Sequence, residues 1–392
     1  MISSFKLFNK YIIVKTLRIF LYIFRIFPIK NNRILFLAFP SLTYMCNPKY
    51  IQKYLEKNSK TKLEYIWIVR KIENEKMPQS IKQIKYLSLG YFYYLCTSKI
   101  IINNAAVLPY LAVRKGVYTI YTWHGGGAYK KAELDMPIAM NKWFKKRTLL
   151  GKNDVSYYLS SCNKFIEIQS KATQVESNKF LKTGLPRNDI LFSKTKNFTN
   201  NDKIKYKYKI DKKTIIILYA PTWRENKIIS YIQFLQNYNI FIENIKNKKN
   251  KNYIVIFRFH PMYKINNLDG RFIDVSDYPD MQELLCAADI LITDYSSCMW
   301  DFSLMYKPCF IYATDIDQYK QERDFYTPMS EWPFPIATNI NELINNILNF
   351  NQEEYIKKVK QHHKTLGSFE DGHACERVCK LIEDIMDGKE QK

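Results

Sequence analysis

A chain of 392 residues is too long for one ordinary compact domain and suits two large ones. Hydrophobic residues at 47% and aromatics at 15%, with only 11 Gly and 14 Pro, exclude a disordered or low-complexity protein. The 60 Lys and Arg against 37 Asp and Glu leave a net charge of +23. Some partner is therefore expected to be anionic, whether lipid head group, nucleotide, phosphate polymer or nucleic acid; AT-rich codon usage accounts for part of the Lys, Asn, Ile and Tyr richness.

The first predicted element, residues 1–31, is an amphipathic helix. Between Met1 and Ile34 lie seven basic residues and no acid, and the first acidic residue is Glu56. Lys15, Arg18 and Arg25 recur on one helical stripe, opposite Ile12, Ile19, Phe20, Ile23 and Phe27. No run reaches the roughly 18 uncharged residues that a spanning helix needs. A helix lying on an anionic membrane surface is expected, the alternative being a helix docked on the protein's own core.

Beyond Pro28 the pattern is alternating α/β. Apolar runs at 33–38, 64–69, 99–103, 117–121 and 157–160 predict buried strands of a first Rossmann-like domain over 32–191. The polar, basic stretch 192–213 is expected to connect it to a second such domain over 214–350. There the strands are predicted at 214–219, 253–259, 272–275, 290–293 and 309–312, with helices at 281–287 and 297–305. Closing helices fill 351–392. Strict alternation implies parallel sheets, so ligands are expected at the carboxyl ends of strands, in a cleft that the two domains face. Eight cysteines without a C-x-x-C pair point to a reducing compartment, and His373, Cys375 and Cys379 lack a fourth ligand at usual spacing for a metal.

Five motifs fall at predicted strand ends. In Y-T-W-H-G-G-G-A-Y-K-K (121–131), His124 ends a strand, while Gly125, Gly126 and Gly127 let backbone N–H groups approach a phosphate, with Lys130 and Lys131 just beyond. The other reading is a tight turn with a packing histidine. K-T-G-L-P-R-N-D (182–189) presents Arg187 on a rigid turn, fit for bidentate phosphate recognition or for a surface ion pair. A-P-T-W-R (220–224) and R-F-H-P (258–261) end two strands of the second domain and make His260 a second strand-end histidine. In T-D-Y-S-S-C-M-W-D-F (293–302), Ser296 and Ser297 open a helix, offering donors to a phosphate or simply capping it, and Asp301 follows one turn later. Asp301 is placed to hold a polyol or ribose hydroxyl or to interact with the helix N-terminus. A G-x-S-x-G elbow is absent, which argues against a serine hydrolase. The D-x-D at Asp315 and Asp317 is expected to be a loop without metal.

Together these motifs resemble the CDP-glycerol glycerophosphotransferase family of teichoic-acid and capsule synthesis, from about Asn32 to Ile385. The resemblance implies a GT-B fold, attachment to the cytoplasmic face of the membrane, and neither metal nor cofactor. It implies His124 and His260 as catalytic residues. It implies Gly125, Gly126, Gly127, Ala128, Arg187, Pro221, Thr222, Arg258, Phe259, Ser296, Ser297 and Asp301 as donor-binding residues. Many teichoic-acid members carry H-G-T-P-L before the Lys pair, where this chain has the longer H-G-G-G-A-Y, and R-F-H-P stands for the more usual R-M-H. The reaction implied moves glycerol phosphate from CDP-glycerol to a hydroxyl of a lipid-linked saccharide or polyol-phosphate polymer, releasing CMP. CDP-ribitol or a nucleotide sugar on the same fold are the alternative donors. Nucleic acid is disfavoured because the aromatics sit in apolar runs rather than among the basic residues.

Overall fold

The computed structural model describes residues 4–73, 77–222, 229–259 and 272–389. The chain divides into two units: Met1–His124, Lys131–Asp189 and Phe369–Lys392 form the first, Gly125–Lys130 and Ile190–Ser368 the second.

Among the described residues the first unit holds one parallel sheet of β1 (Lys30–Leu37), β2 (Glu64–Val69), β3 (Ile81–Lys85), β4 (Ser98–Asn103), β5 (Tyr118–Tyr121), β6 (Tyr157–Leu159) and β7 (Phe180–Leu181). Their order is β3-β2-β1-β4-β5-β6-β7. The second unit holds β8 (Ile215–Tyr219), β9 (Tyr253–Phe257), β10 (Ile273–Asp274), β11 (Ile290–Thr293), β12 (Cys309–Tyr312) and β13 (Ile336–Ala337), in the order β10-β9-β8-β11-β12-β13. Both orders follow the doubly wound Rossmann pattern. Strand order reverses between β1 and β4 in one unit and between β8 and β11 in the other, the places where such sheets take ligands.

These strands form because their sequences suit burial on both faces. Ile100, Ile101 and Ile102 of β4 and Ile216, Ile217 and Leu218 of β8 are all essentially without solvent contact, as continuous β-branched and aliphatic runs in parallel sheets require. Phe36 of β1 stacks on Trp67 of β2 with ring centroids 5.1 Å apart. Each such buried side chain contributes about 1.5–3 kcal/mol relative to exposure. All eight cysteines are buried free thiols.

Three expectations are corrected. The stretch 192–213 is largely the helix Lys194–Lys207, capped by the Ser193 side chain and packed into the second unit through Ile204. Lys203 pairs with Glu283 at 2.7 Å on that unit's surface, and the buried Lys205 donates to the Lys212 carbonyl at 2.7 Å. The two closing helices part company: Gln352–Leu366 belongs to the second unit and Ala374–Met386 to the first.

At the N-terminus, Ser4–Phe20 is helical and continues into the 3-10 turn Leu21–Ile26. Arg18 and Arg25 do not face outward as the stripe implied. Arg18 pairs with Asp154 at 2.7 Å, and Arg25 donates to the Ala112 carbonyl at 2.8 Å. Leu7 and Leu21 are buried, Phe8 packs on Trp143, and Phe20 packs on Phe92. The outward side is apolar instead, with Phe5, Ile12, Ile19, Ile23 and Ile26 exposed beside Lys6, Lys10 and Lys15. Among the described residues no helix is long and apolar enough to cross a membrane.

Candidate active site

In the first unit the chain runs past β5 through Thr122 and Trp123 to His124. Trp123 holds φ +52°, a left-handed conformation that costs a bulky residue roughly 1–3 kcal/mol and marks a position held by its surroundings. Its indole stacks on the His124 ring, centroids 4.6 Å apart. His124 is exposed, and its Nδ1 lies 2.9 Å from the carbonyl oxygen of Asn104, just beyond β4. A carbonyl only accepts, so Nδ1 carries the proton and Nε2 is the nitrogen with the lone pair.

Gly184, at φ +73°, turns the chain after β7 so that Arg187 enters the same region. That turn is fixed by Glu370, whose carboxylate accepts from the Leu185 amide at 3.1 Å and from Asn188 Nδ2 at 3.0 Å. Asp189 accepts from the amides of Ala374 and Cys375, capping the last helix, and desolvation raises its pKa. Arg187 is buried and donates to the His124 carbonyl at 2.8 Å. The expected phosphate-binding arginine thus already supports the histidine's backbone.

The second unit gathers the remaining motifs around its own strand reversal. Beyond β8 lie Pro221 and Thr222, beyond β11 Asp294. The buried Asp294 carboxylate accepts from the Thr222 amide at 2.8 Å and from its hydroxyl at 2.5 Å, tying the two strand ends together. Ser296 and Ser297 are half-exposed. Ser296 Oγ accepts a long 3.4 Å bond from the Cys298 amide, whereas Ser297 makes no side-chain cap, so capping occupies one serine weakly.

The segment Gly125–Lys130 joins this unit. Gly126 lies flush on the Trp300 indole, and Gly127 takes φ +67°. Thr327 Oγ1 donates to the Ala128 carbonyl at 3.0 Å, and Tyr129 OH meets His362 Nε2 at 2.9 Å. Burial lowers the pKa of His362 to about 4 and of His363 to about 3, so both are neutral at physiological pH. His363 packs on Trp300 with centroids 4.3 Å apart and bonds Ser303 Oγ at 2.7 Å.

Arg258 follows β9 and donates to the Tyr278 carbonyl at 2.7 Å. Burial lowers its pKa, Asp280 opposes, and the guanidinium stays charged at neutral pH. Phe259 and Asp301 are not brought to a surface: Phe259 packs on Phe257 in the core, and Asp301 accepts from Gln282 Nε2 at 2.8 Å inside the unit. His260 lies outside the described residues. Asp315 directly precedes the helix Ile316–Glu322, where a loop was expected, and accepts from Tyr295 OH at 3.0 Å.

A family model described as CDP-glycerol:poly(glycerophosphate) glycerophosphotransferase matches residues 19–384. The chain belongs to this family. It is 32% identical over 374 residues to the teichoic acid glycerol-phosphate transferase of Staphylococcus aureus, covering 90% of this chain and 93% of that protein. It is 29% identical over 377 residues to the teichoic acid poly(glycerol phosphate) polymerase of Staphylococcus epidermidis, covering 93% of this chain but only 52% of that longer protein. The structure of the wall teichoic acid polymerase TagF with CDPG, from a 15 minute soak, superposes with a TM-score of 0.81 at 27% identity, covering 100% of each chain. The fold is GT-B, and membership makes the chain a transferase of the glycerophosphotransferase type.

In this glycerophosphotransferase several supporting residues escaped sequence reasoning. Asn47, Asn104, Asp294 and Glu370 act through hydrogen bonds to segments distant in sequence, and an isolated Asn, Asp or Glu near a turn carries no pattern to mark it. Trp300 and His362, buried in the helices Cys298–Ser303 and Gln352–Leu366, carry no such mark either. The three successive glycines read as room for a phosphate, whereas Gly126 and Gly127 also make room for the Trp300 indole.

Proposed function

We propose that this glycerophosphotransferase moves glycerol phosphate from CDP-glycerol to a hydroxyl of a lipid-linked or polymeric acceptor, with His124 as the general base. The observation that carries this is the Nδ1–H bond of His124 to Asn104, which leaves Nε2 with the lone pair at the carboxyl end of β5. The acceptor oxygen attacks the phosphorus nearer the glycerol and its proton passes to Nε2. The bond from that phosphorus to the bridging oxygen breaks, and CMP leaves with the electron pair. The glycine backbone, Thr222, Ser296, Ser297 and Arg258 bind the diphosphate, and His260 neutralises charge on the leaving group. No step draws on a metal or cofactor. CMP release is measured with CDP-glycerol, CDP-ribitol and a nucleotide sugar, each with and without a glycerol-phosphate-primed acceptor. Acceptor-dependent release from CDP-glycerol is expected; release from CDP-ribitol alone reassigns the polyol, and release from the sugar alone overturns the reading.

The enzyme works at the cytoplasmic face of a membrane, held by the exposed apolar side of Ser4–Phe20 and the turn after it. Phe5, Ile12, Ile19, Ile23 and Ile26, flanked by Lys6, Lys10 and Lys15, support this reading, as do eight free thiols for the compartment. The double variant Ile19→Asp, Ile23→Asp is expected to stop co-sedimenting with phosphatidylglycerol vesicles while keeping its turnover on a soluble acceptor. Undiminished sedimentation of that variant removes the membrane assignment from this helix.

A further inference from the structure

His124 emerges from a backbone that other residues must hold, since Trp123 before it takes a left-handed conformation ill suited to an indole-bearing residue. The holding group is Asn47, at the start of the helix Cys46–Asn58 and without solvent contact. Its Nδ2 donates to the carbonyls of both Thr122 and Trp123 at 3.0 Å. Its Oδ1 accepts from the amide of Arg187 at 3.0 Å. Arg187 closes the circuit by donating Nη1 to the His124 carbonyl at 2.8 Å, and the same nitrogen lies 3.4 Å from Cys46 Sγ. One carboxamide thus grips the two peptides before the histidine and the turn that carries the arginine; the arginine grips the carbonyl of the histidine itself.

We infer that Asn47 and Arg187 are positioning residues that fix the His124 backbone, and through it the ring on the Asn104 carbonyl, in the geometry needed for proton abstraction. This rests on His124 being the general base. Asn47 is specific to the task because both of its donors are used on carbonyls. A carboxylate of the same shape keeps the bond from the Arg187 amide but sets oxygen against oxygen at Thr122 and Trp123. For Arg187, positioning and donor binding predict different kinetics: loss of a positioning group lowers kcat, while loss of a ground-state phosphate contact raises the donor KM.

Asn47→Asp, Arg187→Gln and His124→Ala are assayed for CMP release against CDP-glycerol concentration, with melting temperature as the control for folding. A misplacement of about 1 Å costs on the order of a hundredfold in rate, so Asn47→Asp and Arg187→Gln are each expected to lower kcat by at least about tenfold, with donor KM within about twofold. A purely structural role would lower melting temperature and leave kcat per folded molecule intact, and that result overturns the inference. A raised donor KM at parental kcat in Arg187→Gln likewise overturns it for Arg187 and returns that residue to donor binding. Should Asn47→Asp fail to fold, Arg187→Gln decides alone. Parental turnover in His124→Ala signals instead that the general-base reading itself is wrong.

Discussion

His124→Ala lowers the rate of acceptor-dependent CMP release by about a hundredfold or more, the contribution expected of a general base, and leaves the melting temperature within about 1 °C of the parent. The stability half follows from exposure: His124 is an exposed residue whose ring stacks on Trp123 and bonds the Asn104 carbonyl, so its removal opens no cavity in the core. The catalytic half follows from the tautomer. With Nδ1–H committed to a carbonyl, the imidazole presents a single basic nitrogen, and no other histidine of the described residues can stand in for it. His362 and His363 are buried in contacts with Tyr129 and Ser303, and His373 lies against Glu376 at the start of the helix Ala374–Met386. Turnover of the variant within about threefold of the parent would remove His124 from the chemistry.

The fold was legible where physics writes it redundantly. β2, β11 and β12 fall where their apolar runs do, residue for residue, because a strand buried on both faces tolerates no polar interruption. β3, with the sequence Ile-Lys-Gln-Ile-Lys, escaped because it is an edge strand with one face toward solvent, and β7 and β13 escaped because two residues make no pattern. The helix Lys194–Lys207 was read as a connection since its few buried positions, Asn200, Ile204 and Lys205, are mostly polar. The N-terminal helix shows the limit of periodicity most clearly. A stripe of cations states which residues share a face but not what that face meets, and here Asp154 with the carbonyls at 109–112 claims the arginines. The site was legible as motifs at strand ends; its supports, Asn47 and Asp294 above all, depend on contacts between segments about 70 to 140 residues apart.

Gly126→Ala is expected to cost more than any other single methyl group in the chain's glycine segment, because of what stands against it. A Cβ there would lie 1.9 Å from Trp300 Cδ1 and 2.4 Å from Nε1, far inside contact distance, so either the indole or the Gly125–Lys130 backbone must move. The indole has nowhere to go: Trp300 is fully buried, with His363 packed on it and Ser303 Oγ bonded to both the Trp300 carbonyl and His363 Nε2. The backbone is no freer, being tied at Ala128 to Thr327 and at Tyr129 to Tyr326 and His362. Overpacking of this kind costs about 1–3 kcal/mol, and displacement of the glycine amides from the diphosphate should raise the donor KM by at least about tenfold. Gly90→Ala is the control, since a Cβ there meets Ile84 at an ordinary 3.5 Å in a helix that favours alanine. Trimming the obstacle in the double variant Gly126→Ala, Trp300→Leu should recover part of the donor affinity while losing stability from the vacated indole site. A non-additive gain of that sign locates the effect at the Gly126–Trp300 contact; parental KM and melting temperature in Gly126→Ala alone would mean that the segment binds no donor in this conformation.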